Sequence, residues 1–257
     1  MTDRTNIAGD VDYSIHGVGY AQQRITDLRI ATLVHDSLGN ARTVLNVGAG
    51  AGSYEPLDRH VIAIEPSTTM RAQRPAHLAP AIHGVAESLP LDDQSIDASM
   101  AMTTIHQWKD FRRGVEELKR VTRGPIVILT FDGSVLSRFW LTRYAPELMA
   151  AEEPRYSAVQ SIADCLGGST SILTVPIPID CTDGFMEAFY ARPERLLDPA
   201  VRRSQSSWTF ISEKQQTDSI DMLREEIESG AWDGQFGSLR LQPFFEGSLK
   251  LITSIDR

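Results

Sequence analysis

The run Val44-Leu45-Asn46-Val47-Gly48-Ala49-Gly50-Ala51-Gly52-Ser53 is an apolar strand pattern that passes straight into alternating glycines. Glycine lets a backbone approach a ligand closely and adopt dihedral angles closed to other residues. Seventeen residues after Gly48 stands Glu65, at the end of a second β-branched run, His60–Ile64. A carboxylate in that place can accept two hydrogen bonds from ribose hydroxyls. Strand, glycine loop, strand and terminal acid together describe a nucleoside site. Its spacing departs from the dinucleotide fingerprint GxGxxG, in which the third glycine allows close helix packing beneath a pyrophosphate; the loop here reads GxGxG, and Ser53 stands at that third position. A second candidate group is Met100-Ala101-Met102-Thr103-Thr104-Ile105-His106-Gln107-Trp108. In open α/β sheets ligands bind beyond the carboxyl ends of the strands, so Met102 to Trp108 should border the same ligand. Within it His106 is the candidate general base, because imidazole titrates near neutrality.

The elements that must position these residues follow from periodicity. Strands are expected at Thr43–Val47, His60–Ile64, Ala81–Gly84, Ile96–Ala101 and Pro125–Phe131, alternating with helices or loops in the manner of parallel strands joined by crossovers. Tyr20–Leu38 carries Ile25, Leu28, Ala31 and Leu38 on one stripe and stops at Gly39-Asn40. Asp110–Arg123 starts at a capping aspartate, carries Phe111, Val115, Leu118 and Val121 at helical spacing, and ends at Gly124-Pro125. Only Pro56 to Arg59 separates Glu55 from the second strand, which leaves room for little more than a turn. Further on, Val135–Met149 and Val159–Leu166 read as helices, and Ser171–Ile179 and Ser248–Ile255 as strands, the former interrupted by prolines. About 70 residues separate these last two strands, too many for a structureless loop in a compact domain. Ser212 with Gln215 forms a capping box there, Ile220, Leu223 and Ile227 form a helical stripe, and Gly230 ends it. The insertion is expected to be a helical cap.

Composition excludes several classes. At 257 residues, 42 % hydrophobic and 23 % charged, the chain is an ordinary globular protein rather than a fibrous or disordered one. A net charge of −9 removes any general attraction to nucleic-acid backbones or anionic lipid, so neither is an expected partner. The two cysteines, Cys165 and Cys181, form no ligand-spaced cluster, and no HExxH or grouped His/Asp/Glu pattern supports a metal. No signal-like or membrane-spanning apolar segment is evident, so the cytoplasm is the expected compartment.

The glycine loop followed by Val61-Ile62-Ala63-Ile64-Glu65-Pro66-Ser67 resembles the first motif of class I S-adenosylmethionine-dependent methyltransferases. The resemblance continues through Gly84-Val85-Ala86-Glu87-Ser88-Leu89-Pro90-Leu91-Asp92-Asp93-Gln94-Ser95-Ile96-Asp97, which is similar to the GDAExLPFxDxSFD stretch of the small-molecule branch that includes the ubiquinone and menaquinone enzymes. It covers about residues 40 to 132. It implies an α/β fold with a Rossmann-like mixed seven-stranded sheet flanked by helices, and S-adenosyl-L-methionine as cofactor. The expected organisation is an N-terminal lid and lead-in helix over 1–40, the cofactor domain over 41–180 and 246–257, and the cap insertion over 181–245, before the last strand. By the same resemblance Gly48, Ala49, Gly50 and Gly52 approach the methionine moiety and Glu65 holds the ribose. Pro66, Met70, Ala86 and Glu87 surround the adenine, with Met102 and Thr103 bordering the donor. Two positions depart from the pattern: Asn46 stands for the usual acid of the first strand, and Val85 for the usual acid before Ala86.

The segment Tyr13 to Arg24 is glycine-hinged and aromatic, and reads as a lid in which Tyr20 or Arg24 reaches the donor carboxylate. Tyr13, His16, Trp108, Trp140 and Phe189 are the expected lining of an acceptor site. The chain has no Asn/Asp-Pro-Pro-Tyr/Phe motif, which together with its acidity points to a small organic acceptor, with O-methylation favoured if His106 is a base. The alternatives are a non-catalytic or non-methylating protein that binds the same nucleoside, and an NAD-dependent oxidoreductase.

Overall fold

The computed structural model describes residues 20–255. Helices α1 (Tyr20–Gln23) and α2 (Leu28–Ser37) lead into β1 (Thr43–Val47) and β2 (His60–Ile64). Then come α3 (Thr68–Ala72), β3 (Ala98–Met102), α4 (Phe111–Val121), β4 (Ile126–Phe131), α5 (Gly133–Leu136), α6 (Pro146–Glu152), α7 (Val159–Leu166) and β5 (Ser169–Thr174). The chain ends with β6 (Ile177–Pro178), α8 (Pro199–Arg203), α9 (Glu213–Glu228), α10 (Ala231–Phe236), β7 (Phe244–Phe245) and β8 (Leu249–Ile255). The main sheet has the order β2-β1-β3-β4-β8-β5. Strands β1 to β4 pair in parallel, and β8 runs antiparallel to both β4 and β5.

The architecture is therefore the expected mixed α/β sheet, with six strands in place of seven. The segment Ala81–Gly84 contributes one parallel bridge, Ile82 to Ile64. Ile82 donates to the Ala63 carbonyl at 2.8 Å and accepts from the Glu65 amide at 3.0 Å. Pro80 just before it has no amide hydrogen to extend the ladder, and Gly84 follows. The proline-containing stretch expected as one strand divides into β5 and the two-residue β6, which pairs with β7 in a small separate sheet.

Two expected helices are also divided. Tyr20–Leu38 breaks because Asp27 takes an extended conformation and caps α2, accepting the Arg29 amide at 3.0 Å. Val135–Met149 becomes α5, a 3₁₀ turn at Trp140–Arg143, and α6, which begins at Pro146. In α4 the Asp110 cap, which accepts the Arg113 amide, is present as read from sequence, as is the Ser212–Gln215 capping box of α9.

One face of the sheet, with Leu45, Ile128 and Ile252, packs on α4 and α7. The other face, with Met100, Leu129 and Leu251, packs on α2 and on a cluster that takes in Trp140, Phe185, Tyr190, Trp208, Leu223 and Trp232. The residues between β6 and β7 thus share one continuous apolar core with the sheet. Among the described residues no helix is long and apolar enough to cross a membrane, and no three His, Cys, Asp or Glu side chains are grouped to hold a metal ion.

Asp27 also ties α2 to the β6–α8 connection, through the Thr182 amide at 3.1 Å and the Arg29 guanidinium. Burial alone would raise its pKa, but these hydrogen bonds outweigh it and hold the carboxyl at about 2, below the ordinary 3.8. A depressed carboxylate stabilises the fold above the unfolded-state pKa and stops doing so as pH falls through the folded value. Replacement Asp27→Ala is expected to lower stability by roughly 1–2 kcal/mol in urea denaturation at pH 7. The wild-type advantage should shrink between pH 4 and pH 2, whereas a constant difference across that window would contradict this role.

Candidate active site

The glycine loop lies at the carboxyl end of β1. Gly48, Gly50 and Gly52 have φ of +68°, +51° and +96°, in the left-handed region that glycine enters without steric cost. Side-chain space is closed as well: a Cβ on Gly48 would lie 2.1 Å from Thr104 Oγ1, and one on Gly52 2.3 Å from Leu78 Cδ1. The amides of Gly48 and Ala49 donate to the Ile64 carbonyl at 2.9 and 3.0 Å, which binds the loop to the end of β2.

Glu65 follows on β2 and is buried. Its carboxylate accepts the Gly50 amide at 2.8 Å and the Ser67 amide at 2.7 Å. Burial raises its pKa, partly offset by these amides and by Arg71 and Arg74. Pro66 adjoins it, and its carbonyl accepts from Arg71 at 2.8 Å. Met70, buried on α3, brings its Cε to 3.3 Å from where a Gly50 Cβ would stand. Glycine loop, Glu65, Pro66 and Met70 thus form one group.

No helix follows the glycine loop; residues 48–59 run as turns to β2. The loop is supported instead by an ion pair that sequence reading did not find. Arg74 and Glu55 meet in a two-pronged contact of 3.0 and 2.8 Å, with side chains 3 % and 1 % exposed. Arg74 also donates to the Gly50 carbonyl at 3.5 Å and, from Nε and Nη2, to the Ala79 carbonyl at 3.0 and 2.8 Å. Asn46 joins from β1, donating through Nδ2 to Glu55 at 2.9 Å. Glu55 thereby brings a carboxylate to the strand end where Asn46 itself has none. The next residue before it, Tyr54, has φ +64° and a buried hydroxyl that donates to Asp183 at 2.7 Å. Its amide donates to Thr26 Oγ1 at 3.0 Å, and its carbonyl meets His35 Nε2 at 3.0 Å.

Beside the loop, at the carboxyl ends of β3 and β4, lies a cavity of about 570 Å³ including its open mouth. Thr103 and His106 line it from the end of β3, Phe131 from β4, Glu152 and Tyr156 from the end of α6 and just beyond, and Phe185, Glu187 and Gln205 from the insertion. Thr103 has φ +51° and donates its amide to Leu129 at 2.7 Å. The His106 ring lies 4.9 Å from that of Tyr156. Thr104, in contact with Gly48, joins the two sites in the chain. Arg24 also lines the cavity, and its guanidinium is gripped by both oxygens of Asp183.

The remaining expected residues are distributed differently. Ala86 is buried against Gly114 of α4, and Glu87 accepts the Asp110 amide at 3.1 Å at the head of that helix. Met102 is in the core. Trp108 packs over Gly114, where a Cβ would lie 2.4 Å from its ring. Trp140 is buried, donating to the Tyr190 carbonyl at 2.9 Å, and Phe189 is buried beneath Arg192 and Arg195; neither these two nor Trp108 is among the residues that line the cavity. Tyr20 lies in α1; Tyr13 and His16 lie outside the described residues. The acids that sequence reading missed stand outside any motif, and only the fold brings Glu152 and Glu187 to the cavity wall and Asp183 to Arg24 behind it.

Residues 45–125 match a family model described as a methyltransferase domain, which is general and singles out no quinone branch. Uncharacterized methyltransferases of Mycobacterium bovis and Mycobacterium tuberculosis are 28 % identical over 200 residues, spanning 72 % of this chain and 73 % of theirs. The crystal structure of a methyltransferase described as from an antibiotic biosynthesis pathway of Anabaena variabilis is 27 % identical, with a TM-score of 0.84 over 91 % of this chain and 99 % of that one. A geranyl diphosphate C-methyltransferase of Streptomyces coelicolor, solved with S-adenosyl-L-homocysteine, shares the fold at 14 % identity, with a TM-score of 0.52 over 99 % and 88 %.

Removing one partner of a buried ion pair strands the other, at a cost of about 3–5 kcal/mol. Arg74→Met is therefore expected to destabilise the chain by that amount in urea denaturation, and the double variant with Glu55→Gln to recover part of it. Additive losses from the two changes would show that the pair is not coupled.

Proposed function

We infer that this class I S-adenosylmethionine-dependent methyltransferase carries the donor's methyl group to a small organic molecule held in the cavity beside the glycine loop, with O-methylation favoured over N- or C-methylation. The observation that carries the reading is the adjacency of two sites at the carboxyl ends of neighbouring strands. The glycine loop with Glu65 stands at β1 and β2, and the cavity bordered by Thr103 and His106 stands at β3 and β4.

The residues present suit the donor. Asn46 Oδ1 is buried with no hydrogen-bond partner among the described residues, at the strand end where a donor ammonium would need an acceptor. Gly48, Ala49, Gly50 and Gly52 would lie along the methionine part, Glu65 would accept from the ribose hydroxyls, and Pro66, Met70, Ala86 and Glu87 would surround the adenine. The donor supplies a methyl group on a sulfonium, which leaves as the sulfur takes back the bonding electron pair. Such an in-line displacement gains most from alignment and exclusion of water. The cavity walls would hold the acceptor oxygen in line, and a ring nitrogen of His106 would take the hydroxyl proton as the new C–O bond forms. Arg24, already gripped by Asp183, would shape the boundary between donor and acceptor.

The loop geometry also bears on the dinucleotide alternative. A pyrophosphate is bound where a glycine loop opens a helix whose N-terminal amides and dipole face the anion. Here turns follow the loop, so no helix N-terminus faces the place a pyrophosphate would take.

The test is release of S-adenosylhomocysteine from S-adenosylmethionine across a panel of small phenols, alcohols and amines. Turnover is expected with a hydroxylated member and its methyl ether as product; methylated amine or carbon products alone would overturn the O-methylation reading. With that acceptor, His106→Ala should lower kcat by about 10²–10⁴ and abolish the acidic limb of the pH profile. An unchanged limb would remove His106 as the base. Glu65→Ala should weaken donor binding by roughly ten- to a hundredfold, and equal affinity in calorimetry would remove Glu65 from the ribose.

A further inference from the structure

We propose that the cavity selects an aromatic acceptor bearing a cationic amino group, and that Glu187 is the side chain that recognises that group. This rests on reading the cavity as the acceptor site. The charges around it can be paired off. Arg24 is balanced by Asp183, and Glu152 by Arg155. Glu187 is the remaining charged side chain of the lining, and no Arg or Lys of the described residues forms an ion pair with it. The ammonium of Lys250 is engaged by Thr174 Oγ1 at 2.8 Å and the Gly247 carbonyl at 3.1 Å.

Glu187 is 2 % exposed, and its carboxylate is held chiefly by Ser248, with a further backbone contact from Leu249. Both its oxygens accept the Ser248 amide, at 3.1 and 2.9 Å, and one accepts the Ser248 hydroxyl at 2.7 Å. A carboxylate offers about four lone-pair sites; with one amide shared between its two oxygens, the Ser248 and Leu249 contacts leave capacity for one more donor. Burial raises the pKa of Glu187, with Ser248, the more distant Lys250 ammonium and the Leu249 amide pulling it partly back. Lys250 acts on Glu187 only from a distance, without an ion pair; a ligand ammonium would add an opposite charge in direct contact, while a ligand carboxylate would place a second anion in the same desolvated space. The room for the carboxylate is built into the chain, since a Cβ on Gly247 would lie 2.5 Å from Glu187 Oε1.

The walls suit a planar body. Phe131 stands between Tyr156 and Phe185, with ring centroids 5.4 and 5.7 Å away. Such faces stack on an aromatic ligand and also favour a nearby cation.

The proposal is tested by calorimetry on the full chain saturated with S-adenosylhomocysteine, using tyramine, tyrosol and 4-hydroxyphenylacetate as probes. These share a phenol ring and carry a cationic, a neutral and an anionic end. The expected order is tyramine, tyrosol, 4-hydroxyphenylacetate, with the amine roughly tenfold or more tighter than the acid. Glu187→Gln, which keeps an oxygen for the Ser248 amide, should bring the amine and the alcohol to similar affinity while leaving S-adenosylhomocysteine binding intact. Equal or tighter binding of the acid, an amine preference that survives in Glu187→Gln, or no binding of any probe would overturn the proposal. If Glu187→Gln does not fold, the wild-type order alone decides. Failure of the wild-type chain to bind S-adenosylhomocysteine would strike instead at the donor site.

Discussion

A guanidinium and a carboxylate as deeply buried as Arg74 and Glu55 are tolerated only where good geometry and further hydrogen bonds repay their lost hydration. Here the further partners are the carbonyls of Gly50 and Ala79 and the amide of Asn46. The pair therefore ties together the end of β1, the glycine loop, and the segment after α3. Three glycines in the left-handed region give the loop its path but no rigidity. Its shape comes from outside: Glu65 on the Gly50 amide, Arg74 on the Gly50 carbonyl, and Ile64 on the amides of Gly48 and Ala49.

The same loop is coupled to the cavity through Tyr54. Its hydroxyl and Arg24 meet on Asp183, at the start of the insertion between β6 and β7, and Arg24 lines the cavity. Thr104 against Gly48 makes a second link from the other side. The N-terminal helices, the glycine loop and the insertion thus share buried polar contacts. Displacing any one of them leaves a charge or hydroxyl unsatisfied in the others. The apolar core reinforces this, because the insertion has no separate core of its own.

Much of this was legible in the sequence because it is local. The glycine loop with Glu65, the Asp110 and Ser212 caps, and the parallel strands are set by near neighbours in the chain, and the structure shows each of these elements. The expected strand at Ala81–Gly84 fell to a single bridge because a proline and a glycine bound it. Trp140 and Phe189 lie in the core and not on the cavity wall for a related reason: an aromatic residue in a helical pattern marks burial and says nothing about which space is filled. Phe131, Tyr156 and Phe185, which do line the cavity, are single aromatics in unrelated segments. Glu55, Asp183 and Glu187 lie 19, 129 and 61 residues from Arg74, Tyr54 and Ser248, respectively. No periodicity or motif spans such distances, and only the fold joins them.

The central claim is that a glycine loop without a following helix, braced by Glu55 and Arg74 and facing Glu65, holds a nucleoside sulfonium rather than a dinucleotide. It is tested most directly by titrating the purified chain, in parallel, with S-adenosylmethionine, S-adenosylhomocysteine and NAD. Micromolar binding of the first two with no heat from NAD is the predicted result. Binding of NAD alone, or silence from all three, would contradict it.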